Sequence, residues 1–499
     1  MSSPAVTIVE GLTGMPDFDL LVLGGGPGGY VAAIRAAQHG LSVGLVEKER
    51  PGGVCLNWGC IPTKAMLRSA EAFDVVRRAH EFGVRTGEPT VDYDAVRRRK
   101  DDIVKGLADG VAGLLRANSV TTIAGHARMT GPTSVEILEV GDAPLGPGGP
   151  LYAAPPTGTT ATRSVSARDV VIATGSRPAE LPVPGADLPG VITSDGAFGL
   201  TEVPERVVIV GGSAVGAEWA TLFAEFGAAV TVVEMQPTLV PAEDAAIGAA
   251  LARSFRSRGI GVLTSSTVSA IEVATPLRVV VDGPEPGLIE ADVVLVGAGR
   301  VPNTRDLGLD VAGVTTDRRG FVTVDDRMRT DVKHVFAIGD VTGRAMLAHV
   351  ASHQGLVAAD VVAGHDRRMD YRVVPAATFT HPEIASVGLN EAAARKAGMD
   401  VTVATFPFAG LGRSRTFGRT EGFMKIVAGT AHGEILGVHV IGPSASDLIT
   451  EGALALTLEA TLDDLAETVH AHPTLGEIGM EAALVALGLP VHANPPRTR

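Results

Sequence analysis

Two cysteines, the only ones in the chain, lie five positions apart in the stretch GGVCLNWGCIPTK, residues 52–64. A disulfide between Cys55 and Cys60 requires Cα atoms about 4.4–6.8 Å apart. Residues five apart on a regular helix are farther apart than this, so we expect the segment to bend or to begin its helix inside the loop. Gly59 and Pro62 favour such irregular backbone. A closed pair can be reduced and reoxidised by thiol–disulfide exchange.

The residues alone allow three roles for this pair. As a structural staple it would contribute little, because closing so small a ring barely restricts the unfolded chain. As part of a metal site it would need further soft ligands, and no histidine lies near it in the sequence. Redox exchange fits best, because a lone cysteine pair in a reducing cytosol is more often redox-active than structural.

The composition is typical of a large, soluble globular protein. The chain of 499 residues suffices for three or four domains, and 45% of its residues are apolar and 20% charged. A net charge of −14 argues against nucleic acid as a partner, which needs clustered Lys and Arg. The first 18 residues lack a basic secretory region, and Glu218 and Glu225 interrupt the most membrane-like stretch, 207–233. We therefore expect a cytoplasmic protein that binds neither membrane nor nucleic acid.

A first glycine loop follows a short apolar run at residues 19–24. Gly24, Gly26 and Gly29 fit the pattern G-x-G-x-x-G, and a helix-like stretch and a second strand ending at Glu47 come next. Such glycines allow a tight turn, close approach of a pyrophosphate and close packing of helix on strand, while the acid accepts hydrogen bonds from ribose hydroxyls. This order predicts a dinucleotide site, and a turn-rich loop without a ligand is the alternative.

The same order returns at residues 206–234. Gly211 and Gly216 frame a second loop in which Ser213 replaces the middle glycine, and Glu234 follows the first glycine by 23 residues. A carboxylate here repels a 2′-phosphate, and no arginine follows it directly, so the loop predicts NAD rather than NADP. The alternative is a degenerate module that only packs. The two βαβ units predict an α/β fold with two Rossmann-like dinucleotide-binding domains.

Two further segments differ from the βαβ units in residue composition and pattern. From about residue 372, alternating apolar runs and a helical stretch at 444–468 predict a C-terminal α+β domain. A segment rich in Gly, Pro and Thr at 141–163 predicts a surface loop or an embellished hairpin.

His472 and Glu477 form the second candidate site. Disulfide exchange near neutral pH needs a base that takes and returns protons, because the thiolate is the attacking species. Imidazole titrates in this range, and a carboxylate can fix its tautomer and orientation. The alternative is a capping box, in which Glu477 reaches back to Thr474. The residues alone leave both open, and His470 is a weaker candidate for the base.

Taken together, these motifs resemble those of the flavoprotein disulfide reductases, the pyridine nucleotide-disulfide oxidoreductase family, and in particular its members that oxidise dihydrolipoamide. The resemblance covers about residues 17–490 in family order. Besides the cysteine motif, it rests on ATGSRP (173–178), GAGRVPN (297–303), TDVKHVFAIGD (330–340), MLAH (346–349) and HAHPTLGE (470–477). Trp58 between the cysteines and Ser213 in the second loop depart from the family pattern.

The resemblance implies that the first module binds FAD and the second binds NAD. Lys64 would lie near the flavin and pair with Glu218, and Asp340 would hold the ribityl–phosphate arm. Without the resemblance, Lys64 would be a surface lysine and Asp340 a turn residue. The implied FAD-contacting positions are Gly24, Gly26, Gly29, Glu47, Lys64, Ala127, Asp340 and Ala348. The other implied cofactor-binding positions are Gly211, Gly216, Glu218, Glu234, Val268 and Gly299.

The resemblance also implies a domain order. Residues 17–175 would form the first part of the FAD-binding domain with the redox disulfide, and residues 176–299 the NAD-binding domain. Residues 300–371 would complete the FAD domain, and residues 372–490 would form a dimerisation domain.

In the family, the histidine faces the disulfide of the other subunit, which implies a homodimer with shared active sites. The implied reaction is the oxidation of protein-bound dihydrolipoamide by NAD⁺ through the Cys55–Cys60 disulfide and FAD, in keeping with a role in cell redox homeostasis. The implied partner is a lipoyl-bearing protein of a 2-oxo acid dehydrogenase complex or of the glycine cleavage system. The alternatives are a related reductase of glutathione or mycothione type, a diaphorase or quinone reductase, and a flavoprotein without enzymatic activity.

Overall fold

Parallel and antiparallel sheets follow one another along the chain in the computed structural model, which describes residues 15–139, 159 and 161–494. The loop predicted at 141–163 lies outside the described residues, apart from 159 and 161–163. The predicted α/β class is confirmed, with two βαβ units and a C-terminal α+β unit.

The first unit contains six strands and four helices. They are β1 Phe18–Leu23, α1 Pro27–Gln38, β2 Val43–Glu47, α2 Gly53–Asn57, α3 Cys60–Arg77, α4 Tyr93–Ala117, β3 Thr121–Ala124, β4 His126–Gly131, β5 Ser134–Leu138 and β6 Ala161–Ile172, with a 3₁₀ turn at Ala79–Phe82. Four consecutive residues of β1, from Leu20 to Leu23, are fully buried, as expected for a parallel strand covered on both faces. Pro27 begins α1, where its missing N–H costs no hydrogen bond.

The second unit runs from β7 to β16. Its elements are β7 Ser176–Pro178, β8 Val191–Thr193, α5 Ser194–Ala197, β9 Arg206–Val210, α6 Ala214–Glu225, β10 Ala229–Val233, α7 Ala245–Ser257, β11 Gly261–Leu263, β12 Thr267–Glu272, β13 Leu277–Asp282, β14 Gly287–Ala291, β15 Val293–Val296 and β16 Arg300–Pro302. The strands β11-β10-β9-β15-β8 form a parallel sheet, and β12-β13-β14 form an antiparallel one. The short pair β7–β16 lies where the chain enters and leaves this unit.

The long strand β6 joins two sheets. Its first half pairs antiparallel with β5, and its second half pairs in parallel with β1. The next elements along the chain are α8 Leu309–Ala312, β17 Val335–Ala337, a 3₁₀ turn at Gly339–Thr342 and α9 Ala348–Val362. Strand β17 pairs in parallel with β6, so this later part of the chain extends the first sheet beyond the second unit. The exact domain boundaries stay a prediction.

The C-terminal unit is an antiparallel sheet with helices packed on it. Its elements are β18 Ala376–Thr378, β19 Glu383–Gly388, α10 Glu391–Lys396, β20 Val401–Pro407, a 3₁₀ turn at Phe408–Gly410, α11 Gly412–Phe417, β21 Phe423–Gly429, β22 Ile435–Gly442, α12 Ala445–Thr457, α13 Leu462–Glu467 and α14 Glu477–Ala486. The strand order is β18-β19-β22-β21-β20. The single helical stretch predicted at 444–468 is wrong in detail, because Glu459 has a positive φ of 56° and Thr461 caps a new helix.

Candidate active site

The segment that carries the two cysteines is bent, as predicted. Helix α2 ends at Asn57 and α3 begins at Cys60, so the two cysteines lie on different helices. Trp58 and Gly59 separate these helices with non-helical φ values of −140° and −131°. The bend brings the two thiols within hydrogen-bonding distance, which a continuous helix would not do.

The cysteine segment is hydrogen-bonded to the first glycine loop and packs closely against it. The backbone N–H of Gly52 donates to the carbonyl of Gly25 at 2.8 Å. Gly53 has a φ of +56°, and a side chain there would place its Cβ 2.6 Å from the Gly26 Cα. Only glycine fits such an approach without displacing the loop. The Gly-Gly pair that precedes the cysteines therefore fixes them beside the predicted pyrophosphate site.

The pKa values of the two thiols diverge. The hydrogen bond from Cys55 and the nearby Lys64 ammonium outweigh burial and lower the pKa of Cys60 to about 7. The same contact with Cys60, together with burial, raises the pKa of Cys55. One proton therefore leaves the reduced pair near neutral pH, and Cys60 carries the resulting thiolate.

Tyr30 on α1 is a neighbour of this pair that the sequence analysis missed. Burial, and secondarily the charge of Cys55, raise the pKa of Tyr30. The phenol therefore stays neutral beside the thiols at physiological pH. Its position inside the helix of the first βαβ unit gives no local signal of this proximity.

Lys64 and Glu218 are joined across 154 positions of sequence. The Lys64 Nζ lies 2.8 Å from both oxygens of Glu218, which is buried on α6. The backbone N–H of Phe379 donates to the same carboxylate at 2.9 Å, and Lys64 Nζ lies 4.8 Å from the centre of the Phe379 ring. Phe379 is a second residue that the sequence analysis missed. The contact predicted from the resemblance is present, and its role toward a flavin stays a prediction.

The two glycine loops have the same internal hydrogen bonds. In the first, Glu47 accepts from the N–H of Gly25 at 2.6 Å and of Glu49 at 2.8 Å. In the second, Glu234 accepts from the N–H of Gly212 at 2.6 Å and of Gln236 at 2.7 Å. Gly24 and Gly211 open the loops with φ values of 109° and 105°. Burial raises the pKa of Glu47, although the two N–H groups counteract it.

Both loops have the shape that a dinucleotide needs. A Cβ at Gly26 would meet nothing closer than the Gly53 Cα at 3.9 Å, so the space in front of the helix N-terminus is open. Ser213 has nearly the backbone conformation of Gly26, with φ −74° and ψ −174° against −67° and −178°. The serine therefore causes no backbone strain. The residues present fit FAD at the first loop and NAD at the second.

Asp340 lies at the junction of the first two units. Its carboxylate accepts a hydrogen bond from the Ser176 hydroxyl at 2.6 Å, and the same hydroxyl accepts from Arg300 Nε at 2.7 Å. Buried Gln354 on α9 accepts from the N–H of Gly339 at 2.6 Å and so ties this helix to the turn that carries Asp340. Ala348 begins α9. Asp340 is therefore held by both neighbouring units and is not a free turn residue.

The remaining predicted cofactor positions occupy three different places. Ala127 is buried on β4 and pairs with Ile137. Val268 is buried on β12, shortly after Ser266, whose N–H donates to the Glu234 carbonyl at 3.0 Å. Gly299 has a φ of 119°, and its carbonyl accepts from the N–H of Ala179 at 2.9 Å. Contact of these residues with a cofactor stays a prediction.

His472 and Glu477 meet at the start of α14. His472 Nδ1 lies 2.8 Å from Glu477 Oε1, and the N–H of Thr474 donates to Oε2 at 2.8 Å. Burial raises the pKa of Glu477, but its bonds to the imidazole and the Thr474 N–H outweigh burial and lower it. The side chain of His472 is 76% exposed, so its other ring nitrogen is accessible. His470 instead contacts Glu451 at 2.8 Å.

Within one chain, the structure does not join this histidine pair to the cysteines. None of the hydrogen bonds or ion pairs that His472 and Glu477 make in the described part of the chain reaches the cysteine segment.

No group of three or more His, Cys, Asp or Glu in the described residues could hold a metal ion. In the same residues, no helix is long and apolar enough to cross a membrane.

Comparison with known families agrees with this architecture. Residues 18–355 match the model of the pyridine nucleotide-disulphide oxidoreductases, and residues 374–483 match the dimerisation domain of that family. The chain therefore belongs to the pyridine nucleotide-disulphide oxidoreductases. Proteins of this family use FAD and NAD(H), and the dimerisation domain supports a homodimer.

Individual relatives are similar over nearly the whole chain. A dihydrolipoyl dehydrogenase of Chlamydia muridarum is 41% identical over 96% of this chain and 99% of its own length. One of Haloferax volcanii is 42% identical over 95% and 97%. Among solved structures, LpdA of Mycobacterium tuberculosis is 27% identical with a TM-score of 0.83, covering 93% of this chain and 98% of its own. The HOCl-induced flavoprotein disulfide reductase RclA of Escherichia coli is 25% identical with a TM-score of 0.80, covering 93% and 99%.

Proposed function

We propose that the protein is a dihydrolipoyl dehydrogenase, which oxidises dihydrolipoamide to lipoamide with NAD⁺. The observation that carries this proposal is the thiol pair Cys55–Cys60, held against the first glycine loop and beside the Lys64–Glu218 ion pair. Relatives about 40% identical along nearly the whole chain are dihydrolipoyl dehydrogenases, which supports the same substrate.

The first half-reaction uses residues of this chain. Starting from the Cys55–Cys60 disulfide, one thiol of dihydrolipoamide gives its proton to His472, and the thiolate attacks the sulfur of Cys55. The bond between the cysteines breaks, and Cys60 leaves as a thiolate. Its pKa of about 7 makes it the better leaving group at neutral pH. Lys64 compensates its charge.

The second step releases the product. The other substrate thiol loses its proton to solvent and attacks the substrate sulfur bound to Cys55. The bond between Cys55 and the substrate breaks, which forms cyclic lipoamide and frees the Cys55 thiolate. His472 returns its proton to Cys55, whose high pKa favours the thiol. The substrate has lost two electrons and two protons. The protein has gained both electrons and one proton, as the Cys55 thiol and the Cys60 thiolate, and the other proton is in solvent. When bound at the first loop, FAD would supply the redox chemistry that reoxidises this reduced pair with NAD⁺.

Glu477 orients the base. Because its carboxylate engages Nδ1, the imidazole presents Nε2 to the substrate. In the proposed homodimer, His472 serves the cysteine pair of the partner subunit. Large apolar side chains of the C-terminal unit are exposed in the single chain and would be covered by such a dimer. They include Leu454, Leu458, Val469 and Leu489.

The cofactor specificity follows from the second loop. Glu234 would accept hydrogen bonds from the adenosine ribose of NAD and repel the 2′-phosphate of NADP. We further propose that the enzyme is cytoplasmic and acts on a lipoyl-bearing protein of a 2-oxo acid dehydrogenase complex or of the glycine cleavage system. The exposure of the His472 side chain supports this role, because an exposed base is accessible to a substrate carried on another protein.

The variant Cys55→Ser tests the proposal. It should abolish NAD⁺ reduction by dihydrolipoamide while FAD stays bound, because the flavin site does not depend on the attacked sulfur. NADH-dependent reduction of ferricyanide, which bypasses the disulfide, serves as the internal control and should persist. Full lipoamide turnover in Cys55→Ser would refute the exchange mechanism. A wild-type enzyme that reduces glutathione disulfide, mycothione or a quinone faster than lipoamide would instead favour the alternatives.

A further inference from the structure

Helix α14 carries a second carboxylate one turn beyond Glu477. Glu481 follows Glu477 by four positions, which places both on one face of the helix. Its side chain is only 3% exposed, and its Oε1 lies 2.6 Å from Nδ1 of His492, which comes after the helix. Its Oε2 is buried and has no partner in the described part of the chain. The helix thus binds one imidazole from the segment before it and one from the segment after it.

A buried carboxylate with a single partner depends strongly on that partner. Removing one member of a buried ion pair leaves an uncompensated charge in a medium that solvates it poorly. The hydrogen bond to Glu481 raises the pKa of His492, with a smaller contribution from the charge of Glu477. The contact therefore pairs the exposed imidazole of His492 with the buried carboxylate of Glu481. Ala493, the next residue, packs against the core of the C-terminal unit and holds the segment in place.

We propose that His492 is a positioning residue for the base of the reaction: it neutralises Glu481, so that Glu477 is the one uncompensated anion acting on His472. Two adjacent negative charges on α14 would stabilise the protonated imidazole of His472 too strongly. A base that holds its proton more tightly is protonated over more of the working pH range and accepts the substrate proton less often. The consequence for catalysis rests on the proposed function. The electrostatic effect of His492 on His472 does not.

Other charged groups around α14 are already paired or exposed. The elements packed against this helix are α12, α13, β20 and β21. Glu451 of α12 is bound to His470, and Lys425 of β21 is bound to Asp244 and Glu391. Helix α13 contributes Asp463, Asp464 and Glu467, all at exposed positions, and β20 has no charged residue. Among the described residues, His492 is the one basic side chain in contact with Glu481.

The test is the titration of His472 by NMR in protein with ¹³C-labelled histidine rings. The signal of His472, one of 13 histidines, is identified by its loss in His472→Gln. In His492→Gln, the pKa of His472 should rise by about half a unit, as expected for an added charge near a protein surface, one helical turn beyond the carboxylate that contacts His472. The acidic limb of the kcat profile for dihydrolipoamide should move upward by the same amount, with KM unchanged.

Two further variants separate charge from structure. The double variant His492→Gln/Glu481→Gln has no net charge at this position and should return the His472 titration to that of the wild type. His334→Gln is the matched control, because His334 is also a partly exposed imidazole, 2.9 Å from the buried Asp169, and it should leave His472 unchanged. An unchanged His472 titration in His492→Gln, or a shift that the double variant keeps, would overturn the inference. The NMR titration decides this even if the wild type does not oxidise dihydrolipoamide, which would refute only the proposed function.

Discussion

His472 Nδ1 lies 2.8 Å from Glu477 Oε1, and the second oxygen of the same carboxylate accepts the N–H of Thr474. Glu477 therefore contacts His472 and also reaches back to the N–H of Thr474. The capping box itself is wrong, because the N-cap of α14 is Gly476 and the Thr474 hydroxyl donates to the Ala471 carbonyl at 2.7 Å. One oxygen of Glu477 orients the imidazole, and the other satisfies a backbone donor just before α14. The hydrogen bond to the backbone fixes the carboxylate and hence the histidine.

Glu477→Gln should lower kcat for dihydrolipoamide by roughly 10²-fold, within the range of general-base catalysis. The amide can still accept the N–H of Thr474, but it does not stabilise the imidazolium that forms during turnover. The thermal unfolding midpoint should change little. Glu467→Gln, at an exposed position on α13, is the control and should keep the wild-type kcat. If Glu477→Gln kept normal turnover, Glu477 would only stabilise the backbone before α14 through the N–H of Thr474.

Lys64→Met should raise the pKa of Cys60 from about 7 toward the ordinary thiol value, because the ammonium stabilises the thiolate. The measurement is the thiolate ultraviolet absorbance of the reduced protein as a function of pH. Lys64→Met also leaves Glu218 unpaired, and its charge opposes the thiolate as well. Lys64→Met/Glu218→Gln should therefore show a smaller rise. Lys105→Met, an exposed lysine paired with Asp109, should show none.

Glu234→Ala should weaken NADH binding by about tenfold or more, the value of a lost hydrogen bond to a charged group. It also removes the acceptor for the N–H groups of Gly212 and Gln236, which shape the loop. Calorimetric titration of the oxidised protein with NAD⁺, which binds the same loop but cannot reduce the flavin, measures the change. Glu272→Ala, at an exposed position at the end of β12, is the control. Wild-type affinity in Glu234→Ala would refute the assignment of the ribose contact.

Asp360→Asn should destabilise the first unit by roughly 2 kcal/mol at neutral pH, because a buried carboxylate loses hydrogen bonds to three basic side chains that are themselves partly exposed. The carboxylate of Asp360 contacts Arg35, His39 and Arg367, each at 2.7 Å. Burial raises the pKa of Asp360, but these contacts outweigh it and leave the pKa well below its ordinary value.

The sign of the pH dependence follows from this depressed pKa. The carboxylate stabilises the fold fully above the pKa of an unfolded aspartate, and this stabilisation is lost as pH falls through the lower, folded pKa. The difference in unfolding midpoint between wild type and Asp360→Asn should thus be largest near pH 7 and shrink below about pH 4. Asp370→Asn, which removes an exposed pair with Arg372, should change the midpoint little at any pH. An equal difference at pH 7 and pH 3 would contradict the prediction.

The sequence by itself determined the features that depend on neighbouring residues. The strand–loop–helix order of both glycine loops, the bend between Cys55 and Cys60, and the contact of Glu477 with the residues just before it all follow from backbone geometry and hydrogen bonds over a few positions. The periodic apolar pattern likewise predicts buried parallel strands such as β1.

Only the tertiary structure decided which distant segments meet. The contact of Lys64 with Glu218, which the residues alone did not indicate, spans 154 positions, and Phe379 joins it from the C-terminal unit. No local sequence pattern predicts the pairing of β17 with β6 or the contact of His492 with Glu481 either. Such contacts depend on how whole helices and sheets pack, so that the partner of a charged side chain is set by burial and shape over the entire chain and not by the residues beside it.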